Sequence, residues 1–273
     1  MNTLNLPLIP HSRLVRDLRQ LGLTAGQTVL MHASVKAVGW IIGGPDVIIQ
    51  SVLDVLGPDG TLLMYAAWES SPYDLFQQAE PPPQALLDEW PPFDPATARA
   101  MRAWSILTEY LRTWPGSRRS GNPEASLVAV GAKAEWLTEA HPLQYGYGAG
   151  SPFDKLCQCG GQVLLLGAPL DAITLLHYSE HIARVPNKRV VRYKLPFMRA
   201  GRKTWVDVEE FDTADRAIEA EYTFEQIARD FMTAHPVKTG LVGSAHCYLF
   251  EAASLAAFGA RWFEQMGELR NDR

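Results

Sequence analysis

The fold is decided by one passage. It runs from Thr28-Val29-Leu30-Met31-His32 through Gly43-Gly44-Pro45-Asp46 and a helical stretch to Leu56, then Gly57-Pro58-Asp59-Gly60, then Thr61-Leu62-Leu63-Met64-Tyr65-Ala66-Ala67. The first and last segments are strand-sized apolar runs, too continuous for a strand with one wet face, so both read as buried strands. The middle segment opens on a Gly-Gly-Pro-Asp break and closes on turn chemistry, as a helix does. Strand, helix, strand with short connections is a βαβ unit, which places the two strands parallel.

Working outward, the pattern continues. His11–Leu21 carries Leu14, Val15, Leu18 and Leu21 at helical spacing. Leu127–Val130 and Gln162–Gly167 read as strands, each followed by a helix, over Ala132–Ala140 and Ala172–Arg184. Val190–Met198 and Thr204–Phe211 read as an antiparallel hairpin around Ala200-Gly201. Asp215–Met232 reads as a long helix, Gly240–Phe250 as a strand region and Ala252–Gln265 as a final helix. The expectation is an α/β fold: a mixed central sheet with helices packed around it, in one compact unit over 1–273. One long irregular stretch, about 68–98, contains Pro72, Pro81, Pro82, Pro83, Pro91 and Pro92. Loops of that length in a compact domain are usually functional or disordered, and Trp68, Tyr73, Phe76, Trp90 and Phe93 imply that this one packs against something.

An apolar fraction of 47% over 273 residues supports a sizeable core. A net charge of −5 argues against nucleic acid as the main partner. The apolar runs are too short to span a membrane. No signal-peptide pattern opens the chain, and Cys157, Cys159 and Cys247 form no disulfide framework, so a cytoplasmic location is expected.

Charge is distributed in two territories. Between Trp68 and Asp94 stand Glu69, Asp74, Glu80, Asp88, Glu89 and Asp94 with no Lys or Arg, whereas Arg99, Arg102, Arg112, Arg118 and Arg119 face Glu109 alone. An acidic aromatic loop suits a cationic ring-bearing ligand, and arginines beside Ser117 and Ser120 suit a phosphate group. The bland alternative is two solvated faces.

On the Ala172–Arg184 helix, Thr174, His177 and His181 share a face and Glu180 stands one turn from His177. A neutral imidazole oriented by a carboxylate can accept a proton, although a purely structural His–Glu pair would look the same. His177-Tyr178-Ser179-Glu180-His181 also matches the H-x-x-E-H zinc-peptidase pattern, with Glu251 as a conceivable third ligand. The five-residue match is weakly specific, and no metal is expected. Neither a G-x-S-x-G elbow nor a phosphate-binding glycine fingerprint occurs.

Several blocks then occur together in order. They are Met31-His32-Ala33-Ser34-Val35-Lys36-Ala37-Val38-Gly39, Tyr65-Ala66-Ala67-Trp68 with Ser71-Pro72-Tyr73, Pro91-Pro92-Phe93-Asp94-Pro95, Arg118-Arg119-Ser120-Gly121-Asn122-Pro123-Glu124-Ala125-Ser126, and Leu164-Leu165-Leu166-Gly167-Ala168-Pro169 leading to Thr174-Leu175-Leu176-His177-Tyr178-Ser179-Glu180. In these the chain resembles the aminoglycoside 3-N-acetyltransferases from about Leu14 to Phe263. Those enzymes do not have the common GNAT acetyltransferase fold. That superfamily's Q-x-x-G-x-G loop is also absent, because Tyr147 stands where a glycine belongs.

The resemblance implies acetyl transfer from acetyl-CoA to the 3-amino group of the 2-deoxystreptamine ring of an aminoglycoside antibiotic, and hence resistance. It implies His177 as general base, Glu180 as its orienting carboxylate and Thr174 as a candidate oxyanion donor. It implies cofactor contacts from Ser34, Val35, Lys36, Arg119, Ser120, Asn122 and Ser126. Asn122 replaces the histidine that many members carry. Antibiotic contacts are expected from Tyr65, Trp68, Glu69, Asp74, Asp94, Asp171 and Glu221. A monomer or weak homodimer is expected. The alternative is a CoA-dependent N-acetyltransferase of the same fold acting on a different amine.

Overall fold

The computed structural model describes residues 8–78, 80, 82–213, 217–218 and 221–271, without the side chains of 268–271. In chain order the strands are β1 (Leu8–Ile9), β2 (Thr28–Ala33), β3 (Trp40–Ile41), β4 (Thr61–Tyr65), β5 (Arg118–Arg119), β6 (Leu127–Gly131), β7 (Gln162–Leu166), β8 (Val190–Arg199), β9 (Arg202–Phe211), β10 (Lys238–Val242) and β11 (Ala245–Glu251). The helices are α1 (His11–Leu21), α2 (Val35–Val38), α3 (Asp46–Leu56), α4 (Tyr73–Phe76), α5 (Gln84–Glu89), α6 (Ile106–Arg112), α7 (Ala134–Thr138), α8 (Pro152–Gln158), α9 (Leu175–Ile182), α10 (Phe224–Ala234) and α11 (Ala252–Asn271).

The central sheet runs β10-β11-β7-β2-β4-β6-β5. β2 pairs in parallel with both β4 and β7, and the outer strands are antiparallel. The sheet is therefore mixed, as expected. Its parallel centre is buried on both faces, which explains the uninterrupted apolar runs. Alternate residues feed opposite layers. Leu30, Leu63, Ala129, Val163 and Leu165 join one core with α7–α11. Val29, Met31, Leu62, Met64, Val128, Leu164 and Leu166 join the other with α1, α3 and α6.

Local chemistry sets the ends of these elements. Gly22 at φ 109° ends α1 and returns its N–H to Leu18 and Arg19. Ser151 caps α8 by accepting the Asp154 N–H, with Pro152 in the first turn. Ala200 and Gly201, at φ 48° and 73°, make the two-residue turn between β8 and β9.

Several elements differ from expectation. α7 and α9 are shorter than read, at five and eight residues. Gly240–Phe250 is not one strand region but the β10–β11 hairpin. Asp215 lies outside the described residues, and α10 starts only at Phe224, where the Thr223 hydroxyl accepts the Gln226 N–H. The 68–98 stretch contains α4 and α5. Its Trp68 and Phe93 form a third small core with Tyr193, Leu195, Phe197 and Val208 of the β8–β9 hairpin. Backbone bonds join it to that hairpin, from Phe93 N to Pro196 O and from Met198 N to Phe93 O.

Candidate active site

A cleft of about 1260 Å³ opens where β2, β4 and β7 end. The carboxyl ends of parallel strands are the usual place for a ligand crevice, because the chain there leaves the sheet in divergent directions. Ala33 to Lys36 enter it from the end of β2, Tyr65 from the end of β4, Glu69, Ser71, Tyr73 and Asp74 from the chain after it, and Ala168, Pro169, Asp171, Ala172, Thr174 and His177 from the chain after β7. Gly167 makes the β7 exit possible. It sits at φ 69°, and an added Cβ would lie 2.6 Å from the Ala37 Cβ.

His177 projects from the first turn of α9 between aromatic walls, its ring centroid 4.9 Å from Tyr147 and 4.7 Å from Phe224. Its Nδ1 lies 2.7 Å from Glu180 Oε2. Glu180 is 1% exposed and also accepts the Tyr222 hydroxyl. With both carboxylate oxygens accepting, the favoured tautomer has the proton on Nδ1 and a lone pair on Nε2. No described residue bonds Nε2, and the ring borders the cleft. An imidazole held in this way by a carboxylate behind it is able to accept a proton.

The second histidine of H-x-x-E-H has a different environment. His181 Nδ1 is 2.7 Å from the His177 carbonyl, which can only accept, and Nε2 is 2.6 Å from Glu210 Oε1. Glu210 also accepts the Gly146 and Phe211 N–H groups. Both His181 nitrogens are therefore engaged by protein groups. Glu251 serves as a cap, accepting from the Ala253 and Ser254 N–H groups. The two histidines of the motif therefore hold different partners, Glu180 and Glu210, and the motif's side chains do not form a ligand set.

Of the residues expected to hold a cofactor, Ser34, Val35 and Lys36 line the cleft. Ser34 caps α2 through the Ala37 N–H, and Lys36 forms no ion pair among the described residues. The other four are placed elsewhere. Arg119 turns inward, bonding Ser126 Oγ and the Ala98 and Ala66 carbonyls, with Phe93 beneath its guanidinium at 5.1 Å. Ser120 and Ser126 are fully buried. Ser120 accepts the Leu127 N–H and meets His141 Nδ1, while Ser126 donates to Ala66 O. Asn122 accepts the Glu124 and Ala125 N–H groups and donates to Pro142 O.

The other arginines of that territory have acidic partners, and Arg102 among them also lines the cleft. Arg99 and Arg112 pair with Glu109, Arg102 with Glu69, and Arg118 with Glu135. Two of these partners, Glu69 and Glu135, stand outside the arginine stretch, so its composition does not show the pairing.

Of the residues expected to meet the acceptor, Tyr65, Glu69, Asp74 and Asp171 line the cleft. Asp171 also caps α10 through the Phe224 and Glu225 N–H groups. Trp68 is buried in the third core, Asp94 caps its own turn through the Ala96 N–H, and the exposed Glu221 lies outside the cleft lining. Thr174 borders the cleft and Glu180 stands behind His177.

Among the cleft residues that escaped the sequence reading, Glu124, Tyr147, Trp104 and Glu210 carry the most chemistry. Glu124 accepts the Ser71 hydroxyl and forms no ion pair among the described residues. Burial, with Asp74 and Glu210 nearby, pushes its carboxyl up to about 7. The Tyr147 hydroxyl lies 2.5 Å from that of Tyr65, which donates to the Glu124 carbonyl at 2.7 Å. Burial raises both phenols above their ordinary value, so both remain protonated. Trp104 and Glu210 complete the wall. Glu124 could have been noticed within the Asn122–Ser126 block, and Glu210 as an acid at a buried strand position. Tyr147 and Trp104 carried no local signal.

Residues 30–264 match the family model described as Aminoglycoside 3-N-acetyltransferase. Aminoglycoside N(3)-acetyltransferase III of Pseudomonas aeruginosa is 51% identical over 264 residues, covering 97% of this chain and 96% of that one. The solved structure of AAC-IIIb in binary complex with CoASH is 46% identical, with a TM-score of 0.91 over 95% of this chain and 97% of that one. AAC-VIa bound to sisomicin is 37% identical, with a TM-score of 0.90 over 95% and 98%. With a βαβ-centred mixed sheet, a cleft at its parallel ends and a histidine–glutamate pair on its wall, the chain belongs to the aminoglycoside 3-N-acetyltransferase family.

Proposed function

We propose that this enzyme transfers the acetyl group of acetyl-CoA to the 3-amino group of the 2-deoxystreptamine ring of aminoglycoside antibiotics, with His177 as general base. The observation that carries the reading is the His177–Glu180 pair, which leaves Nε2 without a bond among the described residues on a ring that borders a cleft lined by Glu69, Asp74, Glu124 and Asp171. The relatives bound to CoASH and to sisomicin support the two ligands.

The chemistry follows from the positions. The amine nitrogen attacks the thioester carbonyl carbon. As the C–N bond forms, the ammonium proton passes to His177 Nε2, and Glu180 stabilises the resulting imidazolium through Nδ1–H. The C–S bond breaks, and the sulfur leaves with its electron pair and takes the proton from His177. Thr174, at the head of α9, is the side-chain donor proposed for the transient oxyanion. The Ser34–Lys36 turn would hold the pantetheine end, with Lys36 as the cation for a phosphate group. Glu69, Asp74, Glu124 and Asp171 would take ammonium groups of the acceptor.

The test is thiol release from acetyl-CoA on addition of sisomicin, with the product's acetyl position read by NMR. Drug-dependent release with N-3 acetylation is expected. No release from folded protein that binds coenzyme A would sink the antibiotic assignment and favour another amine.

A further inference from the structure

Trp104 belongs to a loop whose role is not explained by packing. The indole is 57% exposed, yet it borders the cleft. Met101 to Ile106 all line that cleft. The loop is fastened at both ends. Met101 N bonds Ala67 O beyond β4, Arg102 N bonds Glu69 Oε2, and Ser105 Oγ bonds Ala33 O at the end of β2. Between these anchors the Trp104 side chain rests on Tyr65, with ring centroids 5.0 Å apart and planes within 15°. One face of the indole is covered by Tyr65, and the side chain remains more than half open.

The surroundings select the ligand. Tyr65 is bonded to the Glu124 carbonyl and to Tyr147, whose ring packs on His177. Through Arg102 the same loop is paired with Glu69. Trp104 therefore stands on a wall where Arg102 offsets Glu69, while Asp74 and Glu124 form no ion pair among the described residues and would attract a cationic molecule. An indole face attracts cations through its quadrupole and covers the C–H face of a ring.

We propose that the open face of Trp104 is the stacking platform for a protonated amino-sugar ring of the acceptor, making Trp104 a specificity-determining residue. This rests on the reading of the cleft as an aminoglycoside site. The platform acts on the acceptor and not on acetyl-CoA, so its loss moves one Michaelis constant and leaves the other in place.

The experiment uses the full chain with sisomicin and acetyl-CoA and compares Trp104→Ala, Trp104→Leu and Trp104→Phe, each checked for an unchanged melting temperature. Trp104→Ala and Trp104→Leu are expected to raise the KM for sisomicin about 10-fold, with the KM for acetyl-CoA unchanged within about 2-fold. Trp104→Phe, which keeps a π face, should retain most of the affinity. If alanine destabilises the loop, the leucine–phenylalanine comparison decides alone. Leucine performing as well as phenylalanine would overturn the platform, as would a rise confined to the KM for acetyl-CoA. Wild-type protein that neither binds nor acetylates sisomicin would remove the acceptor reading and this proposal together. Active wild type with unaffected variants would remove only the proposal.

Discussion

Replacing Glu124 by glutamine should strengthen the fold and weaken the function, in opposite directions and with different pH dependence. The Glu124 carboxyl is held at about 7 against an ordinary 4.5, chiefly by burial, with Asp74 and Glu210 adding repulsion. Below pH 4.5 the group is neutral in the folded and the unfolded chain alike, and it contributes nothing. Between 4.5 and 7 the folded chain keeps a proton that the unfolded chain loses, so stability falls as pH rises, and above 7 the full penalty applies. At about 1.4 kcal/mol per pH unit, that interval sets an upper bound on the order of 3 kcal/mol. The carboxylate borders an open cleft, so water screens part of it, leaving about 1–2 kcal/mol. Glutamine keeps an oxygen for the Ser71 hydroxyl. Glu124→Gln should therefore raise Tm by roughly 2–6 °C near pH 8 and leave it unchanged near pH 4. The same change removes a charged partner for an ammonium group, worth about 1.5–3 kcal/mol, or roughly 10–100-fold in the KM for sisomicin. Scanning calorimetry across pH and steady-state thiol release read the two effects. A Tm gain that is equal at pH 4 and pH 8, or an unchanged KM, would refute the reasoning.

His177→Ala should lose about 10²–10⁴-fold in kcat while coenzyme A still binds by calorimetry; near wild-type turnover would remove His177 from the mechanism. Glu180→Gln replaces a charge-assisted bond to Nδ1 by a neutral one, at a difference of about 1–2 kcal/mol, so kcat should fall roughly 5–30-fold with the KM for both substrates steady. Arg119→Met deletes the guanidinium that satisfies Ser126, Ala98 and Ala66. It should destabilise the protein by about 2–4 kcal/mol with the KM for acetyl-CoA within about 2-fold, whereas a large rise in that constant without loss of Tm would restore Arg119 to the cofactor site.

The sequence by itself determined what depends on local period and turn chemistry. The apolar runs at Thr28–Ala33, Thr61–Tyr65 and Gln162–Leu166 could only be strands covered on both faces, and the Gly and Pro breaks between them fixed the crossovers. The His177–Glu180 pair was legible for the same reason, because the two side chains meet within one helical turn. Composition also identified a stretch from which Glu69 and Asp74 do reach the cleft. It could not say which members of a charged territory face a ligand. Arg119 and Asn122 lie in a block that reads as binding chemistry, yet their bonds run to Ala66, Ala98 and Pro142, positions far along the chain that only folding brings near. Trp68 was drawn away in the same manner, into a core built with the β8–β9 hairpin, whereas Asp94 is held locally by its own turn. Conversely, Tyr65, Trp104, Glu124, Tyr147 and Glu210 come from five separate segments. Their meeting is a property of the mixed sheet and its crossovers, which carry distant loops to the same edge, and no window along the chain contains it.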